Sequence, residues 1–308
     1  MPNKIIEHLK KYMTNKEFRY FVNIEFFNMY TKMSDEAFLK MKYKDLIGRE
    51  LDLDNPKSYT EKLQWLKIHD RNPQYSKMVD KYEAKKIIAD IVGNEYVIPT
   101  LGIWDNANDI DFSELPNQFV LKCTHDSASI IICRDKSKFN IKQARKKLNK
   151  ALKRDFYKFH REWPYKNVKH RIICEPLLKE DNINYLTDYK FFCFNGIPKV
   201  FYISNDKGED PTTDFFDMDF NNLPFKMKDP NSKKLPSKPI CFEKMKEMST
   251  KLSAGIPQLR VDFYYVNNKI YVGELTFYHC AGFVKITPEE WDYKLGDMLD
   301  LTKVKDVE

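Results

Sequence analysis

The sequence predicts an α+β fold built around a mainly antiparallel sheet, and three observations predict it. Apolar residues through the first 75 positions recur at helical spacing. Later β-rich runs fall in pairs joined by Asn195-Gly196 and Asn267-Asn268, which have the chemistry of tight hairpin turns. Strands and helices also fail to alternate as strict βαβ units would, which argues against a parallel doubly wound sheet.

The helical region comes first. Phe18, Phe21, Val22, Phe26 and Met29 keep a three-and-four spacing with Glu25 as one charged intruder. Asn55-Pro56 breaks the pattern, and Ser58-Tyr59-Thr60-Glu61 has the spacing of a capping box. Leu63, Trp65, Leu66 and Ile68 continue as a helix. A further helix over Lys81–Ile91 is ended by Gly93-Asn94. The short run Tyr96–Thr100 then reads as a strand, followed by strands at Phe119–Lys122 and Ile130–Cys133. A Lys-rich helix over Ile141–Phe156 separates these from a strand at Arg171–Glu175. Denser strands follow at Tyr189–Phe194, Lys199–Ser204, Leu259–Tyr265 and Ile270–Phe277. Phe225–Pro239, rich in proline and lysine, reads as an exposed loop, and Cys241–Ser253 as a helix.

Composition narrows the function classes. Of 308 residues, 42% are hydrophobic and 14% aromatic, ample for a core and too apolar for a disordered chain. The 52 basic and 45 acidic residues leave a net charge of +7, a mild excess spread along the chain. It reads as a solvated lysine-rich surface with weak attraction for anionic substrates. Nucleic-acid binding calls for a concentrated basic stripe, and none is evident, so no nucleic-acid partner is expected. The six cysteines form no C-x-x-C pair; Cys133, Cys174 and Cys193 sit in apolar runs as buried thiols. With no apolar leader segment at the N-terminus and no disulfide framework, the expected location is the cytoplasm. No apolar stretch approaches the ~20 residues of a membrane span.

The densest chemistry lies in Arg260-Val261-Asp262-Phe263-Tyr264, the turn Asn267-Asn268, and Gly273-Glu274-Leu275-Thr276. Residues two apart on a strand share a face, so Arg260, Asp262 and Tyr264 point one way, and Glu274 with Thr276 share a face on the next strand. The hairpin can set Asp262 beside Glu274, a hard-oxygen pair suited to Mg²⁺ when phosphate oxygens and water complete the shell. Arg260 beside them can neutralise charge on a transferring phosphoryl group. The same spacing also fits an ordinary exposed strand face with paired charges. Lys122 ends an apolar strand and opens the loop Cys123–Ser129, whose hydroxyls, Ser127 and Ser129 among them, can hold phosphates. It equally fits a surface turn, and it is no Walker motif. Glu175-Pro176-Leu177-Leu178 ends a β-branched strand where proline breaks pairing, leaving groups able to meet an adenine edge.

Taken in order, these segments resemble the TupA-like family of the ATP-grasp superfamily, which is associated with teichuronopeptide and capsular polysaccharide synthesis. The resemblance is carried by Glu61–Lys67, Asp80-Lys81-Tyr82, Leu115-Pro116, Phe119–Lys122, Asp188–Phe191, Phe194-Asn195-Gly196, Arg260-Val261-Asp262 and Gly273–Phe277, over roughly residues 55–300. It implies an ATP-grasp fold, with two α+β subdomains gripping ATP between antiparallel sheets behind a helical N-terminal region. The implied divisions are 1–78, 79–174 and 175–308. By the same resemblance Lys81 (or Lys85 in its place) and Lys122 contact phosphates, with Ser127, Ser129 and Lys190 also on the nucleotide. Glu175 to Leu178 would then line the adenine, and Glu180 or Asp181 would lie near the ribose. Asp262 and Glu274 are implied Mg²⁺ ligands, with Thr276 at a third position usually held by Asn. Arg260 and Lys122 would be catalytic. Two departures stand out: the loop Thr124–Ser129 has no glycine, and Asp126 adds negative charge to it.

The implied activity is an ATP- and Mg²⁺-dependent carboxylate–amine ligase acting through an acyl-phosphate. Its expected substrates are a small-molecule or glycan carboxylate, such as a hexuronic acid or amino acid, and an amine. Two alternatives come from the residues. Asp217-Met218-Asp219 has the D-x-D form of metal-dependent glycosyltransferases, and the glycine-free loop fits a nucleotide-binding protein without catalysis.

Overall fold

The computed structural model describes residues 2–127, 129–180, 186–205 and 211–304, with side chains from residue 5 onward. The helical region holds α1 (Pro2–Thr14), α2 (Lys16–Phe27), α3 (Asp35–Ile47), α4 (Tyr59–His69) and α5 (Gln74–Val79), and α6 (Glu83–Val92) follows. Local chemistry starts these helices: Asn15 and Ser34 cap α2 and α3, and at α4 the capping box closes in both directions between Ser58 and Glu61. Gly48, in the left-handed region at φ 95°, ends α3.

The first sheet has four antiparallel strands in the order β1 (Gly102–Trp104), β4 (Ile172–Pro176), β2 (Phe119–Cys123) and β3 (Ile131–Cys133). Helix α7 (Ile141–Leu152) covers it, setting Ala144, Leu148 and Ala151 on the apolar side of the sheet. A single turn, α8 (Tyr157–His160), follows, so the expected Lys-rich helix ends earlier than its pattern. The strand expected at Tyr96–Thr100 is instead a 3₁₀ turn at Asn94–Tyr96 with extended chain beyond it. Val97 makes one isolated parallel bridge to Val272, but Pro99 has no N–H to offer a ladder, and continuous pairing begins at Gly102, opposite Cys174.

The second sheet has six antiparallel strands. Its order is β10 (Lys269–Thr276), β9 (Gln258–Val266), β5 (Asp188–Phe194), β6 (Ile197–Asn205), β7 (Thr212–Phe216) and β8 (Asn222–Leu223). Both anticipated hairpin turns have positive φ at their two central residues, 49° and 81° at Asn195-Gly196 and 51° and 60° at Asn267-Asn268. On one face α9 (Phe242–Leu252) packs Phe242, Met245 and Met248 against Phe191, Phe201 and Val261. The other face carries the polar row described below. Helix α10 (Glu290–Asp297) ties the C-terminal end to α4, because Asp292 accepts from Thr60 N at 2.9 Å and from Arg49 at 2.6 Å.

A third apolar cluster joins the N-terminal helices to α8 through Tyr20, Phe38, Tyr43, Phe159 and Phe283. The six cysteines are free thiols, and all but Cys280 are buried. Among the described residues no helix is long and apolar enough to cross a membrane.

Candidate functional site

Strand β9 lies between β5 and β10, and its register sets three ionisable side chains in a row across the sheet. Asp262 pairs with Lys190 on one side and with Glu274 on the other. Lys190 Nζ lies 2.6 Å from Asp262 Oδ2 and 3.3 Å from Asp188. Arg260, two residues back on the same face, donates to both oxygens of Asp262 at 2.6 and 2.8 Å, and to Thr276 Oγ1 at 3.0 Å. Burial alone would raise the Asp262 carboxyl, but Arg260 and Lys190 outweigh it and hold the group below its ordinary value. Burial and the same arginine press His279 well below its usual range, so its Nδ1, 2.6 Å from Arg260, is a neutral acceptor.

Glu274 reaches this face through a β-bulge. Val272 pairs with Phe263, yet Glu274, two residues on, pairs with Asp262, so Gly273 is the extra residue. A side chain at 273 would meet the Tyr264 ring, 2.7 Å from an ideal Cβ, which accounts for glycine there.

The opposing wall comes from the first sheet. Lys122 on β2 and Lys85 on α6 each lie 2.7 Å from one oxygen of Glu175 on β4. Burial pushes the Glu175 carboxyl up, and the two lysines more than reverse it. Lys81, just ahead of α6, donates to the carbonyl of Asp126 and lies 3.8 Å from Glu274, so it bridges the two walls. In the glycine-free loop the Asp126 carboxylate turns inward: its Oδ1 accepts from Ser129 Oγ at 2.5 Å and from Ser129 N at 3.3 Å.

Between the walls lies a cleft of about 460 Å³. Of the residues expected to hold nucleotide or metal, it brings together Lys81, Lys122, Glu175, Leu178, Lys190, Asp262 and Glu274. Four others lie elsewhere. Arg260, Thr276 and Ser127 line a second cavity. Ser129 is buried, and its hydroxyl is used inside the loop by Asp126 and by Cys123 N at 2.7 Å. Asp181 falls outside the described residues, and Glu180 accepts from Asn267 N at 3.2 Å. Among the described residues no cluster of three or more His, Cys, Asp or Glu groups forms a ready metal cage. The donors present are two carboxylates and a hydroxyl, a hard-oxygen set that fits Mg²⁺ shared with phosphate oxygens. Asp217 accepts from Asp219 N, Asn221 N and Asn221 Nδ2 at 2.8–2.9 Å, so the D-x-D string is a turn device between β7 and β8.

A family model described as TupA-like ATPgrasp matches residues 61–300. The chain belongs to the TupA-like ATP-grasp family. No curated protein matches it. Solved structures similar to it include the D-alanine–D-alanine ligase from Helicobacter pylori, at 16% identity and a TM-score of 0.34, covering 65% of this chain and 54% of that one. The corresponding Bacillus anthracis ligase, complexed with ATP, shows 16% identity and a TM-score of 0.38, covering 70% and 58%. The ATP-grasp ligase PsnB, complexed with a precursor variant, Mg and ADP, shows 11% identity and a TM-score of 0.41, covering 80% and 66%. The chain thus spans about half to two thirds of the length of these proteins.

In this ATP-grasp chain the second cavity, about 540 Å³, meets the cleft at Glu274. It runs from Arg260 and Thr276 toward the N-terminal helices, past Lys42, His160 and Glu162. Lys42 donates to Phe159 O at 2.7 Å, and Lys67 donates to Gln64 Oε1, His160 O and Ala281 O at 2.8–2.9 Å. Burial, with Lys67 nearby, pulls Lys42 down to about 7, and burial alone does the same to Lys67. Burial lifts Glu162 to about 7 against the pull of both lysines. Lys67 therefore disfavours folding while its amine is protonated, and between about 7 and 10.5, where the unfolded chain holds a proton that the folded chain gives up, stability rises with pH. The penalty is largest below that window and fades as pH rises through it. The melting-temperature difference, wild type minus Lys67→Met, should accordingly grow from pH 7 to pH 9.5; a constant difference would mean that the amine titrates normally.

The sequence reading gave no site role to Lys42, Lys67, His160, Glu162, Asp188 or His279. One signal was present for Lys67: it sits four residues after Leu63 and so shares a helix face with it.

Proposed function

We propose that the chain is an ATP-dependent carboxylate–amine ligase acting through an acyl-phosphate. We further propose that it amidates a uronic acid or an amino acid in surface-polysaccharide synthesis, in the cytoplasm. The observation that carries the ligase reading is the meeting of two cavities at Glu274, with Arg260 on the side of the second. One offers lysines at a nucleotide-sized cleft, and the other leads away to a mixed cationic and acidic chamber suited to acceptors.

In this reading Lys81, Lys122 and Lys190 receive the triphosphate, and the apolar side of the cleft near Leu178 takes the base. Asp262, Glu274 and Thr276 would hold Mg²⁺, which when bound neutralises phosphate charge. Arg260, held in place by Asp262 and Thr276, faces the attacking carboxylate and stabilises the charge spread over the transferred phosphoryl group. The carboxylate oxygen bonds to the γ-phosphorus as the bond to ADP breaks. The amine then displaces phosphate and loses a proton. Glu162, lifted by burial to about 7, stands in the chamber as its acceptor. The division at 78 and 174 belongs to the same reading, supported by separate apolar cores under the two sheets.

Thermal shift tests the nucleotide. ATP with Mg²⁺ at a hundredfold excess over Kd should add about 2.7 kcal/mol, or roughly 5 °C, and EDTA should abolish most of it. A shift with a UDP-sugar and none with ATP would replace the ligase reading by a transferase.

A further inference from the structure

We propose that the groove between α1 and α2, together with the exposed face of α7, docks onto a lipid surface bearing anionic headgroups. The groove is about 720 Å³ and is lined by Ile5, Leu9, Phe26 and Phe27 among others. Leu9 is 59% exposed and Phe27 66%, and Ile6 and Met13 on the same helix are also exposed. A contiguous apolar patch of this kind on a folded chain marks an interaction surface.

Charge identifies the occupant. From Ile141 to Arg154 the chain carries Lys142, Arg145, Lys146, Lys147, Lys150, Lys153 and Arg154, with no acidic residue. Lys142, Lys146, Lys150 and Lys153 fall at four-, four- and three-residue steps, so they form one stripe along α7 and its end. All four are exposed, and none pairs with a carboxylate among the described residues. The sequence reading found no concentrated basic stripe, and it is the helix that lines these lysines up. The stripe runs into the groove: Lys150 Nζ lies 5.4 Å from the centre of the Phe26 ring, and Arg154 lies 5.6 Å from that of Phe21.

An anionic bilayer surface matches both halves, because phosphates meet the lysines while Ile5, Leu9 and Phe27 enter the acyl boundary. A nucleic acid would satisfy the lysines and leave the apolar residues in water. A second copy in a two-fold contact would bring the two cationic rims together.

Co-sedimentation with sucrose-loaded vesicles tests the proposal on the full chain. Vesicles with about 30 mol % phosphatidylglycerol should bind at least about tenfold more tightly than phosphatidylcholine alone, and weaken between about 0.1 and 0.5 M NaCl. Leu9→Glu with Phe27→Glu should weaken that binding about tenfold, and Lys146→Glu with Lys150→Glu by a similar factor. Melting temperatures confirm that both variants fold; should the groove variant fail to, the lysine variant and the salt series carry the test. The proposal is overturned by equal binding to both vesicle types or by vesicle binding indifferent to the groove substitutions. A concentration-dependent dimer that those substitutions dissolve would overturn it too, by assigning the groove to a second copy.

Discussion

Asp262→Asn is expected to lower ADP formation by at least about a thousandfold, whether measured with an active substrate pair or as background ATP hydrolysis. The substitution keeps the side chain's volume and removes one charge. It also destabilises the chain, because Arg260 and Lys190 both converge on this buried carboxylate. Removing one partner of such a buried group costs about 3 kcal/mol, or roughly 6 °C of melting temperature. The two effects separate in Asp262→Asn/Lys190→Met, which removes one of the two cations left facing the neutral amide. Stability should partly return and activity should not. Unchanged turnover in the single variant would remove Asp262 from the proposed Mg²⁺ set.

Glu175→Gln has an effect of similar size by another route. Glu175 lies between Lys85 and Lys122, with one carboxylate oxygen on each. Without its charge two largely buried ammonium groups face each other, and the chain should lose about 3 kcal/mol. ATP should then stabilise the variant more than the wild type, because the triphosphate supplies the missing anion. An ATP-induced shift equal in the two proteins would mean that Lys85 and Lys122 serve only the fold.

Much of the site is legible in the sequence because it is local. Arg260, Asp262 and Tyr264 share a face by strand alternation, and the Asn267-Asn268 turn brings Glu274 and Thr276 back alongside them. Lys122 and Glu175 were visible as polar ends of apolar strands, but their ion pair depends on β2 lying against β4, a pairing across about fifty residues. Lys42 and His160 lie 118 residues apart in sequence and 3.0 Å apart in space, and no periodicity encodes that. Strand β7 escaped notice for a different reason: five residues leading into the Asp217 turn are too short a run to show a period. Ser129 was mistaken for a phosphate-facing hydroxyl because chain position alone does not tell which way a loop side chain turns; Asp126 turns it inward.

The bulge at Gly273 acts on the sheet as a frameshift acts on a message. Upstream of it the strand is read in one phase, with Val272 opposite Phe263; downstream it is read in the other, with Leu275 opposite Val261. Pairing the strand straight through, with that glycine kept but no bulge, would leave every letter unchanged and exchange the meaning of those that follow, because Gly273 would then sit opposite Asp262 and Glu274 opposite Val261. Leu275 would surface in the cleft and Glu274 would be driven into the core, or the strand would give up its partner. An ungapped comparison with a relative that lacks the bulge therefore matches residues that face opposite ways beyond this point, whereas a relative with one residue fewer between the turn and this glutamate keeps the carboxylate beside Asp262 by regular pairing.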